Sequence, residues 1–268
     1  MTAADRIFRG LFVLYLLVFV VYLFAPLAVM AAAAFNESRF PTVIPWQGTT
    51  LDWFSAMWAD AAMWRSLWTS AIVAVLVVLV ALPVGTAAAL VLTTLHARAR
   101  SFAYAVMVSP LLTPGVVIGI STLILWRQVG VSGGIALIVV AQTTFIICYV
   151  MLMVMARLQR FDRTQEEAAL GLGASRLMVF RRILLPFLRP ALLASGGLAI
   201  LQSVENYNTT LFVRGFETPL TVFIATKVRT GLTPAVNALA LVVIAATVIG
   251  AIAWEIARRR HVTKAPQS

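Results

Sequence analysis

One carboxylate, Glu205, falls inside a long apolar run, with Gln202, Ser203, Asn206 and Asn208 beside it. A charge in a membrane span costs roughly 2.5–3.5 kcal/mol on insertion scales, so this residue needs a partner, water or a task. Three readings stay open: a structural ion pair, a shallow hydrated position, or a pathway acid that attracts a cation. Counted from Pro190 at the helical rise, Glu205 lies ~22 Å along its span, in the outer half of a ~30 Å apolar core. Gln142, Thr143 and Thr144 form a second polar cluster in another apolar run. Their residue types suit hydrogen bonds between helices. Gln142 also joins Glu205, Asn206, Gln202 and Asn208 as a candidate lining of a solute pathway.

Other chemistry is thin. His96 and His261 are far apart and each stands near arginines; with Cys148 they give no metal-ligand spacing. A lone cysteine closes no intrachain disulfide. The sequence has no Gly-Lys-Ser/Thr phosphate loop, so ATP, if used, is bound by another chain. A membrane-embedded enzyme would need clustered His, Asp/Glu or Cys at one membrane face, and the sequence has no such cluster. Asn36-Glu37-Ser38 matches a glycosylation sequon, but so short a pattern carries no weight.

Residues 157–190 are the only long inner loop. Asp162 can cap a helix, with Gln165 three residues later completing a capping box. Gly171 and Gly173 let the chain stop and turn. Ser175 can cap a second short helix whose Leu177, Phe180 and Leu184 share one face. The expected product is a helix–turn–helix along the membrane, with arginines on its other face. It suits either a segment anchored to anionic lipid or a docking element for a soluble partner. Composition leaves both open.

These groups need elements to hold them. The 268 residues are 61% hydrophobic and only 12% charged, against about a quarter charged in soluble domains. The apolar residues come in long runs rather than alternating, so the solvent is lipid and the spans are helices, not barrel strands. Six spans are expected, at 10–35, 67–95, 102–126, 134–156, 188–212 and 235–257. The first exceeds a signal-peptide core and is read as uncleaved. Pro83, Gly85, Pro110, Pro114, Gly115, Gly196 and Gly197 interrupt several spans as kinks or close helix contacts. The chain reads as one all-α polytopic membrane domain over 1–268, with its core at about 10–257.

Orientation follows from Lys and Arg. With the N-terminus inside, 15 of them fall on the inner side and 6 on the outer, so both termini are cytoplasmic. The inner set includes Arg6, Arg258, Arg259, Arg260 and Lys264. This asymmetry accounts for the net charge of +11 without nucleic acid. The first outer loop carries Trp46, Trp53, Trp58 and Trp64, and Trp68 opens the next span. They can form an interfacial belt or a docking surface for an external partner.

The inner loop resembles the signature of ATP-binding-cassette importer permeases, in which Glu-Ala-Ala, a glycine and Ile-any-Leu-Pro recur at set spacing. Here those residues are Glu167, Ala168, Ala169, Gly173, Ile183, Leu185 and Pro186. Further stretches resemble the polyamine-type permeases of that family: Phe35-Asn36, Trp46-Gln47-Gly48, Ser109-Pro110, Leu172-Gly173-Ala174-Ser175 and Val236-Asn237-Ala238-Leu239-Ala240. The resemblance implies six spans with a cytoplasmic coupling helix, in a bacterial inner membrane. It implies solute import by alternating access, driven by separate ATPase subunits that bind ATP and Mg. It also implies a second homologous permease, an external solute-binding protein and no cofactor in this chain. The solute implied is a polyamine or related amine. The polyamine permeases have two adjacent aspartates where this chain has Glu205-Asn206, so another solute of the subfamily (an opine, aminoethylphosphonate or iron) stays open. A secondary transporter driven by ions is the rival class, but it would usually carry more intramembrane ionisable groups and internal repeats.

Overall fold

A computed structural model describes residues 3–262, and the charges read at Arg6, Arg258, Arg259, Arg260 and Lys264, like His261, lie outside its described side chains. Its elements are helices: α1 Ala3–Ala33, α2 Asp52–Ala59, α3 Ala61–Thr94, α4 Ala97–Leu112, α5 Gly115–Arg127 and α6 Ile135–Leu158. Then come α7 Thr164–Gly171, α8 Arg176–Val179, a π-helical turn Phe180–Leu184, α9 Leu185–Val204, α10 Thr210–Val213, α11 Leu220–Thr230 and α12 Pro234–Val262.

Four helices are long and apolar enough to cross a membrane among the described residues: Ile7–Ala33, Ala61–Thr94, Ile135–Leu158 and Arg176–Val204. The expected third span is not one straight helix. It is α4 and α5, bent by 103° at their junction. Pro114 causes the break: it has no N–H to continue α4, and its ring forces Thr113 into extended backbone at φ −87°, ψ 129°. The sixth candidate is shorter, with its apolar part at Pro234–Gly250. The fifth span also differs. It does not run to 212 but stops at Val204, with Glu205 as its C-cap. Gly196 and Gly197 sit within it without ending it, as Pro83 and Gly85 do within α3.

The chain forms two compact units. The first joins Met1–Ala62 with Thr226–Ser268. Within it, α12 packs against α1 and α2. The side chains described between residues 7 and 29 of α1 are all exposed. A helix apolar on every side and left exposed belongs in lipid or against another subunit. The loop between α1 and α2 is built around Asn36, which is fully buried. Its side chain donates to the carbonyls of Thr42 and Pro45 and accepts from the Gln47 N–H at 2.9 Å. The Trp53 indole donates to its backbone carbonyl. The sequon at Asn36 is therefore closed to a glycan, while Trp46 and Trp58 stay exposed.

The second unit, Met63–Ala225, carries the core. It centres on α6 packed along α9, with α3, α4 and α5 against them. Val77, Ile138, Ile146, Val150, Met151 and Leu188 are all fully buried there.

Candidate functional site

Two breaks shape the site. At the first, α4 ends and α5 turns away at Pro114. At the second, α9 ends at Glu205 and the chain resumes as α10 at Thr210. The two meet at backbone distance: a side-chain carbon on Gly119 of α5 would come within 2.7 Å of the Thr209 carbonyl oxygen. Only glycine allows that approach. Beside the breaks lies a cavity of about 300 Å³. Glu205, Gln202, Asn206 and Asn208 line it, together with Phe145 and Tyr149 of α6. Glu205 and Asn208 are exposed to it, whereas Gln202 and Asn206 are half-buried. A neighbouring cavity of about 230 Å³ includes Ser121, Thr122 and Thr144.

Four candidate pathway residues thus gather on one cavity. The fifth, Gln142, does not line it. It is 1% exposed and held in a hydrogen-bonded knot. Its Nε2 donates to the Thr210 hydroxyl at 2.8 Å, while the Ser203 hydroxyl donates to its Oε1. Thr210 in turn donates from its hydroxyl to Asn206 Oδ1 at 3.1 Å. The same oxygen accepts the Thr210 N–H, capping the first turn of α10.

Sequence reasoning missed Phe145, Tyr149, Tyr207 and Thr113. Phe145 and Tyr149 are four apart on α6 and so share a face. That spacing was readable, but nothing in the sequence said that this face meets a cavity. The electrostatics are also set by the breaks. Glu205 sits at the carbonyl end of a long helix, where the macrodipole is negative. Gly115, the first residue of α5 and so at a positive helix end, lines the same cavity. A solute bearing an ammonium therefore has one favoured orientation, cation towards Glu205. Tyr149 and Phe145 line the same cavity and are of types that can add cation–π attraction.

The inner loop is a second candidate site. Asp162 Oδ1 accepts from both the N–H and the hydroxyl of Thr164, at 3.0 and 2.7 Å. It caps α7 two residues on, in place of the expected box with Gln165. These bonds hold the Asp162 carboxyl below its usual range. Glu166 and Glu167 occupy the first turn, where the helix dipole favours acids. The helix ends in a Schellman motif. Ala174 N–H bonds the Ala169 carbonyl and Gly173 N–H the Leu170 carbonyl. Gly173 sits at φ +86°, in the left-handed region that glycine alone occupies without strain. Ser175 caps the next helix through the Met178 N–H at 3.2 Å.

That next helix is not separate. Arg176–Val204 is continuous through the π-helical turn, so α8 is the foot of the fifth span. The turn precedes Pro186, whose missing N–H leaves the Arg182 carbonyl without its usual bond. Of the expected apolar positions, Leu177 is exposed and Phe180 and Leu184 are half-buried, while the neighbouring Val179 is the buried residue. Glu167, Ala168, Gly173 and Pro186 are exposed, whereas Ala169, Ile183 and Leu185 are half-buried. The loop is clasped at its base. The Arg157 guanidinium lies 4.2 Å from the centre of the Phe187 ring and donates to the Phe187 carbonyl at 3.2 Å. Phe161 packs on the same ring at 5.0 Å.

Residues 81–262 match the family described as binding-protein-dependent transport system inner membrane component. The chain is 34% identical over 247 residues to the putrescine transport system permease protein PotI of Escherichia coli K12, covering 89% of this chain and 87% of that one. It is 30% identical over 241 residues to the spermidine/putrescine transport system permease protein PotC of the same strain, covering 89% and 90%. Its fold is similar to a chain in the crystal structure of a bacterial ABC transporter involved in the import of the acidic polysaccharide alginate. There the TM-score is 0.74 at 16% identity, over 97% of this chain and 98% of that one.

Proposed function

The chain belongs to the family of binding-protein-dependent transport system inner membrane components, and we propose that it is the permease for a polyamine or related amine. Its place as a permease subunit of an ABC importer follows from that membership. The solute class is our inference. It rests on Glu205, a carboxylate at the negative end of α9 in an aromatic-bordered cavity. The putrescine and spermidine/putrescine systems named for two relatives point the same way.

In this reading the chain crosses the inner membrane six times, counting the bent α4–α5 pair and α12 as spans, with both termini cytoplasmic. The domain is single and supplies half of the pathway; a homologous permease supplies the other half. An external binding protein delivers solute. Two ATPase subunits bind ATP and Mg on the cytoplasmic side, and one of them docks on the loop bearing Glu167, Ala168, Ala169, Gly173, Ile183, Leu185 and Pro186. Their closure moves α7, and the clasp at Arg157 and Phe187 carries the motion to α6 and α9. Because α9 ends at Glu205, the lever reaches the cavity directly. Asn206 stands beside Glu205 instead of a second acid, so Glu205 pairs with one ammonium of the amine and any second ammonium meets neutral groups.

The test is the ATPase rate of the complete complex with its binding protein, across amines, opines and phosphonates. Putrescine or spermidine should stimulate most. Greatest stimulation by an anionic solute would overturn the assignment.

A further inference from the structure

We infer that Gln142 is a positioning residue that sets the shape of the break at 205–209 and so presents Glu205 and Asn208 to the cavity. The inference rests on the reading of that cavity as a solute path, but concerns a residue that does not line it. A helix that stops inside an apolar core leaves its last carbonyls and the next first amides to be satisfied by something. Here one side chain from the facing helix bridges the gap. Ser203, the last turn before the break, donates to Gln142 Oε1. Thr210, the first residue after it, accepts from Nε2 at 2.8 Å. The Ser203 carbonyl is a further acceptor of Nε2 at 3.4 Å.

The bridge continues inward. Thr210 spends its hydroxyl hydrogen on Asn206 Oδ1, so its oxygen is left to accept from Gln142. Asn206 Oδ1 also takes the Thr210 N–H, and the Asn206 carbonyl accepts from the Thr221 hydroxyl at 3.2 Å. Each hydroxyl thus has one direction, and each direction depends on an amide that both donates and accepts. Gln142, Ser203 and Thr210 are all buried. Water cannot substitute freely, and removing the amide leaves the Ser203 hydroxyl without its acceptor and the Thr210 oxygen without the donor from Gln142. Glu205 and Asn208 lie within the stretch thus pinned at both ends.

The experiment places a reporter at the break. In the full complex, Asn208→Cys is labelled by a small water-soluble thiol reagent; native Cys148 is buried and supplies the background. Gln142→Leu keeps the bulk and removes all three bonds of the amide. The labelling rate should change at least about tenfold, the factor set by losing one net hydrogen bond. Gln142→Glu in its neutral form should restore it, since a carboxylic acid has one oxygen to donate and one to accept. Should Gln142→Leu fail to accumulate in the membrane, Ser203→Ala and Thr210→Val each remove one end of the bridge and should shift labelling in the same direction. An unchanged rate in these variants, or equal shifts for Leu and Glu, overturns the inference. Initial solute uptake is measured in parallel without the reporter. A shifted labelling rate with unaltered uptake keeps the positioning role and removes the cavity from the solute path.

Discussion

At the residue scale, the cavity and the inner loop depend on single groups with different jobs. Glu167 is exposed on α7, where its charge can meet a partner and inside the chain favours only the N-terminal turn of that helix. Glu167→Lys should abolish uptake while the chain still inserts at wild-type levels, as checked by membrane yield and transport in the same cells. Normal transport would dismiss the docking role of α7. Gly173 acts through its backbone. A side chain there meets open space, yet its φ of +86° strains any L residue. Gly173→Ala should cost about 1–2 kcal/mol of local stability, and Gly173→Leu should do no worse in fold yet stop uptake. Thermal unfolding of the purified complex and uptake together check this. Asp162 gives a pH signature. Hydrogen bonds from Thr164 depress its folded value. Its cap is therefore complete above the unfolded value of about 3.9 and is lost as pH falls through the lower folded one. Amide exchange at the start of α7 should quicken in that acid window, and Asp162→Asn, which cannot titrate, should abolish the step.

At the element scale, the clasp between α6 and α9 is the expected transmission point. Arg157→Ala removes a carbonyl bond and a ring contact outside the cavity. It should leave basal ATP hydrolysis in place and lower its stimulation by solute. Equal losses of both would mean that the clasp only holds the fold. What the sequence made legible divides along physical lines. Long apolar runs mark helices because every buried backbone group must find a partner inside its own segment, and α1, α3 and α6 fall close to the expected limits. The Schellman turn at Gly173 and the cap at Ser175 were readable because they are local. The bend at Pro114 was half readable: the proline was visible, but whether neighbours would carry a straight span past it depends on tertiary packing. The end of α9 at Glu205 had no breaker residue to announce it. The break that follows is bridged by Gln142, more than sixty residues away, and no window of local sequence contains that bridge. The foot of α9 was misread for a similar reason, since its π-helical turn lets the chain run on from Ser175 where two separate helices were expected.

At the scale of the whole molecule, one chain offers a cavity bordered by its own helices, a long exposed α1 and a clasped inner loop, but no nucleotide loop of its own. Those features suit the permease subunit of an ABC importer that the family membership gives. An ATPase captured with the chain from membranes, and lost with Glu167→Lys, would match this account; a chain that transports alone in vesicles would not. The most direct test of the central claim is the initial rate of ATP-driven putrescine uptake by the reconstituted complex at subsaturating solute, wild type against Glu205→Gln. The substitution keeps the shape of the side chain and removes its charge, and it leaves the knot around Gln142 untouched. The account predicts a rate that falls sharply while assembly and basal ATP hydrolysis persist. An equal rate in the two proteins would contradict it.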